Sequence, residues 1–128
     1  MQDGTQEDPT DIAERRPALV YPFETVPEDG ETLEIAPGLI WIRMGLPFAL
    51  VHINLWAIRD GEGWAIVDTG VQTRETAAAW RKIFAGPLEG KPVTRVFVTH
   101  MHPDHIGMAG WITRKFGCRL WMSRLEYI

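Results

Sequence analysis

The sequence predicts an α/β domain in which helices cover a mixed β-sheet. Two observations lead to this fold class. Runs of β-branched and aromatic residues separated by turn signals come first, and helical and extended periods then alternate along the rest of the chain. The chain has 128 residues, of which 45% are apolar and 23% charged, so its size and composition fit one soluble domain with a core.

Residues 1–31 differ in character from the rest of the chain. This segment is acidic, has few apolar residues and holds four of the nine prolines, which is typical of a disordered or loosely wrapped arm. The short run ALVYPF, residues 18–23, is the part of the arm that could dock on the domain. The strand and helix patterns begin at Thr32, so we expect the domain to occupy residues 32–128.

Three strands are predicted in the first half of the domain from β-branched and aromatic runs: LIWIRM (39–44), HINLWAIRD (52–60) and WAIVD (64–68). The intervening GEG, residues 61–63, is a turn signal, so the last two of these strands are expected to form an antiparallel hairpin. The six tryptophans fall on predicted strands and helices, and most of them are expected in the core.

A helical period follows in TRETAAAWRKIFAG, with Thr73 as its N-cap and Gly86 as its end. Its apolar stripe consists of Ala77, Trp80, Ile83 and Phe84. The run TRVFVT (94–99) has a continuous apolar centre and therefore predicts a strand that is buried on both faces. PDHIGMAGWITRKFG (103–117) predicts one further helix, and CRLWM (118–122) a last strand.

Charge and composition limit the classes of partner. The net charge of −4 provides no electrostatic footprint for nucleic acid or an anionic membrane. The N-terminus lacks the basic start and apolar run of a secretory signal, and no apolar stretch approaches the ~20 residues of a membrane span. We therefore expect a cytoplasmic protein with no nucleic acid and no membrane among its partners. The single cysteine, Cys118, excludes an intramolecular disulfide and is expected to be a small buried hydrophobe on a strand.

Four potential metal ligands lie within six positions directly after the predicted buried strand: His100, His102, Asp104 and His105. The two leading histidines share a side of an extended chain, and Pro103 fits the first turn of a helix that would hold the other two residues. The positive end of that helix would favour an ionised carboxylate and neutral imidazole, the forms that bind metal. Imidazole and carboxylate together suit zinc, iron or manganese, so the pattern predicts a metal site rather than a merely polar surface loop.

Two stretches resemble a known family. THMHPDHIG (99–107) is similar to the H-x-H-x-D-H signature of the metallo-β-lactamase fold superfamily, and AIVDTG (65–70) resembles the strand-end D-T-G that precedes it in many members. The order of hairpin, helix, strand and motif matches as well, over about residues 33–128. The resemblance implies an αββα metallo-β-lactamase-like sandwich, of which this chain would be the N-terminal half, and a two-metal hydrolytic site.

The resemblance also implies roles for single residues. His100 and His102 match the ligands of one metal ion, and Asp104 and His105 match those of a second ion. Asp104 would in addition be catalytic, because it orients the attacking hydroxide. Asp68 matches a position that usually supports the ligands from behind, and its alternative interpretation is a turn residue that closes a strand.

Two residues near the predicted hairpin have weaker functional assignments. The loop MGLPFAL (44–50) resembles a hairpin loop that overhangs the site, which makes Phe48 a candidate substrate contact. His52 lies at the start of a strand and is expected to be a structural or rim residue rather than a further ligand.

The implied function is a metal-dependent hydrolase that uses two zinc ions, with iron or manganese as the alternatives. The metal-activated hydroxide would attack a small ester, thioester, lactone or lactam. Two other functions stay open: a phosphodiesterase or nuclease, and a catalytically incomplete fragment that self-associates or binds a partner through an exposed sheet face. The acidic charge balance favours a small-molecule substrate over RNA.

The end of the sequence bears on activity. Each predicted metal site lacks one or two ligands, since catalytic zinc usually takes three protein ligands and no histidine follows His105. SRLEYI (123–128) matches a capping box, with Ser123 as N-cap and Glu126 three residues later, but continues for barely one turn. We therefore expect a truncated chain that is inactive alone, and that pairs as a homodimer or is completed by a missing C-terminal half.

Overall fold

One mixed sheet forms the centre of the fold. The computed structural model describes residues 18–47 and 49–128. Six strands lie side by side in the order of the sequence. They are β1 (Thr32–Ala36), β2 (Leu39–Leu46), β3 (Ala49–Asp60), β4 (Gly63–Val67), β5 (Val93–Phe97) and β6 (Arg119–Trp121). The first four strands pair antiparallel, whereas β4, β5 and β6 pair in parallel, so the predicted mixed sheet is confirmed.

The predicted hairpin around GEG is also confirmed. Asp60 of β3 is opposite Gly63 of β4, and Gly61 takes a positive φ of 57° in the turn between them. Glycine adopts this backbone conformation without the steric cost that a side chain brings. The hairpin fixes β4 in the sheet, and the carboxyl end of β4 leads directly to Asp68.

Helices supply the connections between the parallel strands. Helix α1 (Arg74–Ala85) connects β4 to β5, and α2 (Pro103–Ile106) and α3 (Ala109–Phe116) connect β5 to β6, while α4 (Arg124–Tyr127) follows β6. Helix α1 starts and ends as predicted: the Thr73 hydroxyl accepts a hydrogen bond of 3.0 Å from the Thr76 N–H, and Gly86 is the C-cap. Such a side-chain cap satisfies one of the amide groups that the first turn leaves without a helical partner.

The core lies between the sheet and helices α1 and α3. Every second residue of β2 points into it, and the apolar stripes of the two helices complete it. Its largest fully buried side chains include Trp80, Ile42, Met44, Leu55, Ile66 and Ile112. Because this core holds β4 and β5 firmly, the residues that directly follow these two strands are placed on a rigid base.

Two predictions about burial are wrong. Strand β5 is not buried on both faces, because Val93 and Val96 are buried while Arg95 and Phe97 are exposed. Within the described residues the helices cover one face of the sheet, and the alternate residues of β5 lie on the other face. Most tryptophans are not in the core either: Trp64 and Trp80 are buried, but Trp121 is 49% exposed and the others are partly buried.

The helix predicted over residues 103–117 is interrupted, which is a third correction. Helix α2 ends at Ile106 and α3 begins at Ala109. The N–H of Met108 donates to the hydroxyl oxygen of Thr69 at 3.0 Å and to the carbonyl of Gly70 at 3.2 Å, instead of to a carbonyl one helical turn back. The tertiary contact therefore overrides the helical period. It also removes the basis for the predicted effect of a long helix dipole, because α2 has only four residues.

The segment before the domain does not dock through its apolar run. Leu19, Val20 and Tyr21 are at least 78% exposed. Contact begins further along: Pro27 is buried, and the Gly30 N–H donates to the Arg43 carbonyl at 2.7 Å. No helix in the described part of the chain is both long and apolar enough to cross a membrane.

Candidate functional site

The four predicted metal ligands lie at the carboxyl end of β5. His100 follows the strand, His102 is the N-cap residue of α2, and Asp104 and His105 belong to α2 itself. The structure brings the three imidazole rings together. The ring centroid of His100 is 4.7 Å from that of His102 and 4.0 Å from that of His105. The cluster predicted from spacing is therefore a cluster in space.

Asp68 connects the end of β4 to this cluster. The residue is only 5% exposed and has a positive φ of 62°, which turns the chain sharply after the strand. Its Oδ1 accepts a hydrogen bond of 2.8 Å from the Thr99 N–H, and its Oδ2 accepts one of 2.8 Å from the Thr99 hydroxyl. The same Oδ2 is 2.9 Å from Nδ1 of His105. Both carboxylate oxygens thus contact the segment that carries the candidate ligands.

This contact sets the form of the His105 ring. An ionised carboxylate can only accept hydrogen bonds, so Nδ1 of His105 must carry the hydrogen that lies between the two atoms. In the neutral imidazole this leaves the lone pair on Nε2. The His105 side chain is 19% exposed, so the ring is not fully enclosed by the protein.

Thr69 holds the backbone at His105 and at Met108, and the sequence pattern did not mark it as a site residue. Its N–H and its hydroxyl both donate to the His105 carbonyl, at 2.8 and 2.7 Å, and the hydroxyl oxygen accepts the Met108 N–H. The Trp80 indole N–H in turn donates to the Thr69 carbonyl at 2.7 Å. The available signal was the position of a small polar residue directly after Asp68, but its partners His105 and Met108 lie 36 and 39 residues further along the chain.

Glycine is required where the two segments meet. A Cβ on Gly107 would lie 2.7 Å from the backbone nitrogen of Gln72 and 2.7 Å from the carbonyl oxygen of Gly70. Backbone atoms at such distances leave no space for a side chain. The close approach allows α2 to sit directly on the chain that leaves β4.

The donors fit a metal ion in chemistry and, for one pair, in spacing. Oδ2 of Asp104 is 3.4 Å from Nε2 of His105. This separation exceeds the ~2.7–2.9 Å of a charge-assisted hydrogen bond. It matches the roughly 3.3–3.4 Å expected between two ligands of one tetrahedral zinc ion with bonds of about 2.0–2.1 Å. Among residues 18–47 and 49–128, however, no three His, Cys, Asp or Glu side chains are arranged to hold one ion together.

Helix α4 contacts the loop between the first two histidines. The Ser123 hydroxyl caps the helix by accepting the Glu126 N–H at 3.4 Å, as predicted. In a full capping box the Glu126 carboxylate would also accept a hydrogen bond from the backbone N–H of Ser123, but here it has another partner. Its Oε2 accepts the N–H of Met101 at 3.0 Å, so this side chain supports the loop that carries His100 and His102.

The remaining candidates lie elsewhere. Nε2 of His52 is 2.7 Å from Oδ1 of Asp29, which is the contact of a structural residue. Phe48 lies outside the described residues, so its predicted substrate contact stays a prediction. The loop before it borders a cavity of about 300 Å³ between β2 and the start of α1, and no candidate metal ligand lines that cavity. Cys118 lies just before β6 and is only partly buried, so the prediction of a buried residue on a strand is wrong. Partial burial raises the pKa of its thiol.

Comparison with known proteins decides the family. A family model described as the metallo-beta-lactamase superfamily matches residues 49–128, more than half of the chain. This protein belongs to the metallo-beta-lactamase superfamily. The predicted membership is confirmed, and so is the predicted fold, because solved members of the superfamily superpose on the chain.

Three relatives illustrate the relationship within the superfamily. The chain is 37% identical over 65 residues to the probable metallo-hydrolase YybB of Bacillus subtilis (strain 168), covering 50% of this chain and 27% of that protein. The crystal structure of a beta-lactamase domain protein from Burkholderia ambifaria matches with a TM-score of 0.77 and 49% identity, over 84% of this chain and 34% of that one. A metallo-beta-lactamase family protein from Thermus thermophilus matches with a TM-score of 0.63 and 29% identity, over 73% of this chain and 31% of that one. The chain thus spans about a third or less of the length of these relatives.

Proposed function

We propose that this superfamily member is a metal-dependent hydrolase whose metal centre includes His100, His102, Asp104 and His105. One observation carries the proposal: the His105 ring is held so that its Nε2 faces Oδ2 of Asp104 at a separation that suits a shared ion. Superfamily membership supports it, as does the metallo-hydrolase name of the Bacillus relative.

Zinc is the ion that we propose first. Imidazole and carboxylate donors suit zinc, and iron or manganese can use the same donors. A bound ion of this kind supplies Lewis acidity and brings the ionisation of water towards neutral pH. In a two-ion arrangement, His100 and His102 would serve one ion and Asp104 and His105 the other. Catalytic zinc usually takes three protein ligands, so we propose that further ligands come from outside the described residues.

The residues of this chain would have different parts in the reaction. Asp104 is the proposed catalytic residue, because its side chain is 25% exposed and a water molecule can therefore reach the carboxylate oxygen that does not face His105. There it would orient the attacking water. Asp68 is only 5% exposed and is occupied by Thr99 and His105, so its proposed part is to hold ligands and not to touch substrate.

The proposed substrate class is a small ester, thioester, lactone or lactam. The net charge of −4 is the supporting observation, since a polyanionic substrate such as RNA is normally met by a basic surface. No feature of the described residues favours the phosphodiesterase alternative, and a phosphodiester in the substrate panel tests it directly.

The test is a substrate panel with the purified full-length gene product, using a p-nitrophenyl ester, a thioester, a lactone, a β-lactam and bis(p-nitrophenyl) phosphate. Hydrolysis of at least one carbonyl substrate should be abolished by a chelator and restored by zinc. Asp104→Asn should lower the rate by at least about 100-fold, while Asp60→Asn, at the far end of the sheet, should not. Turnover of the phosphodiester alone would favour the nuclease alternative, and undiminished turnover after metal removal would contradict the proposal.

A further inference from the structure

We infer that Thr99 is a positioning residue that links His100 to the buried carboxylate of Asp68. Through this link, one carboxylate would fix the ring form of two candidate ligands, His105 directly and His100 through the threonine hydroxyl. The consequence for metal binding rests on the proposed function. The ring forms themselves are properties of the metal-free chain.

The direction of each hydrogen bond follows from what the atoms can donate. Thr99 has a single hydroxyl hydrogen, and its Oγ1 is 2.8 Å from Oδ2 of Asp68. The carboxylate is an acceptor only, so this hydrogen belongs to that contact. Oγ1 of Thr99 is also 2.9 Å from Nδ1 of His100. With its own hydrogen already used, the hydroxyl oxygen can only accept there, and Nδ1 of His100 must donate.

The result is the same ring form for both histidines. Nδ1 carries the hydrogen in His100 and in His105, so each ring has its lone pair on Nε2. A metal ligand needs such a lone pair, and a hydrogen bond at the other ring nitrogen is the usual means of fixing where it lies. His102 contacts this network through ring packing: its ring lies edge-on to that of His100, with the ring centroids 4.7 Å apart.

The backbone makes the link robust. The Thr99 N–H donates to Oδ1 of Asp68 at 2.8 Å, so replacing the side chain leaves the residue anchored. Thr99 itself is exposed, and water can therefore replace part of the contact when the hydroxyl is lost. For that reason we expect an effect at the low end of the roughly 10- to 100-fold range typical of residues that support metal ligands.

The test is nitrogen-15 NMR of the histidine rings in the metal-free protein at about pH 8.5, where unperturbed imidazole is neutral. His100 and His105 should both be in the Nδ1–H form in the unmodified protein. In Thr99→Val, which keeps the shape but not the hydroxyl, His100 should become a mixture of the two forms, while His105 and His102 are unchanged. Thr99→Ser should restore the original state of His100.

A matched control lies on β5, the strand that precedes Thr99. The hydroxyl of Thr94 donates to a carboxylate oxygen of Asp60 at the opposite end of β5, so Thr94→Val removes the same kind of bond far from the cluster. It should leave all three rings unchanged. An Nε2–H form of His100 in the unmodified protein would overturn the inference, even if Thr99→Val failed to fold. A spectrum of His100 that does not respond to Thr99→Val would overturn it as well.

Metal titration separates this inference from the proposed function. Thr99→Val should weaken zinc binding about tenfold, measured by competition with a chromophoric chelator, and Thr99→Ser should recover most of it. If the rings behave as expected but the full-length gene product binds no metal, the link stands and the proposed function fails. If zinc binds and the ring form of His100 does not change in Thr99→Val, only the link fails.

Discussion

Replacing Asp68 by asparagine tests how far one buried side chain controls the candidate metal site. Asparagine has nearly the same shape but carries one acceptor oxygen and one amide donor. The oxygen should face the Thr99 N–H, which donates to Oδ1 of Asp68 at 2.8 Å in the unmodified protein. In the opposite orientation the asparagine NH2 group would face the Thr99 N–H, and two donors would meet without an acceptor. The amide group then occupies the place of Oδ2, where Thr99 and His105 now donate.

Both rings should respond to the reversed polarity. The Thr99 hydroxyl can rotate to accept from the new amide and donate to Nδ1 of His100, and His105 can shift its hydrogen to Nε2. Each change moves a hydrogen onto the nitrogen that we propose as the ligand. Since two ligands are affected together, we expect zinc affinity to fall about 100-fold, at the high end for residues that support metal ligands. The loss of charge-assisted bonds should reduce the free energy of unfolding by only about 1–3 kcal/mol.

Two measurements separate these effects. Zinc affinity is measured by chelator competition, and the free energy of unfolding by urea denaturation of the metal-free protein. Asp60→Asn is the control, because Asp60 also accepts from a threonine hydroxyl and pairs with Arg95 at 3.0 Å, but at the other end of β5. A variant of Asp68 that unfolds more easily yet binds zinc as tightly as the unmodified protein would refute the reasoning and leave Asp68 as a turn residue.

Two further predictions concern packing and reactivity. Gly107→Ala should lower the free energy of unfolding by about 1–3 kcal/mol in urea denaturation, because its Cβ would meet backbone atoms of Gly70 and Gln72. Gly110→Ala is the control: its Cβ would meet only the flexible Arg114 side chain, so equal losses in the two variants would argue against a tight contact at Gly107. Burial raises the pKa of the Cys118 thiol, so at about pH 8 less of it is thiolate than in a free cysteine. Its reaction with a disulfide reagent should therefore be slower than that of free cysteine at this pH and keep rising at higher pH, and equal rates would contradict this.

Local signals made five of the six strands, the first long helix and the ligand cluster predictable, whereas β1 (Thr32–Ala36) was not predicted. The GEG turn, the Thr73 cap and the spacing of His100 to His105 all act over a few residues, and the structure contains each as expected. The contacts that organise the cluster act over longer distances. Thr99 meets Asp68 across 31 positions, and Met108 meets Thr69 across 39. The sequence alone does not indicate which hydroxyl group will form a hydrogen bond with which carboxylate in the folded chain.

The burial of β5 shows a second limit. An apolar centre in TRVFVT indicates a strand with neighbours on both sides, but it does not tell which of its faces a helix will cover. In the structure the buried residues Val93 and Val96 face α1 and α3 and belong to the core, while Arg95 and Phe97 lie exposed. The break at Gly107 has the same origin, because a helical period continues through the sequence where a tertiary contact ends the helix.

The most direct test of the proposed metal centre is the zinc content of the purified protein, measured by inductively coupled plasma mass spectrometry after dialysis against zinc and then against metal-free buffer. Tested as the full-length gene product, the unmodified protein should retain about two ions per chain, as expected for a two-metal hydrolytic site. Asp104→Ala and His105→Ala should each retain at least one ion fewer, whereas His52→Ala, which loses only a contact to Asp29, should retain the full content. Equal zinc content in all four proteins, or none in the unmodified protein, would contradict the assignment of these residues as metal ligands.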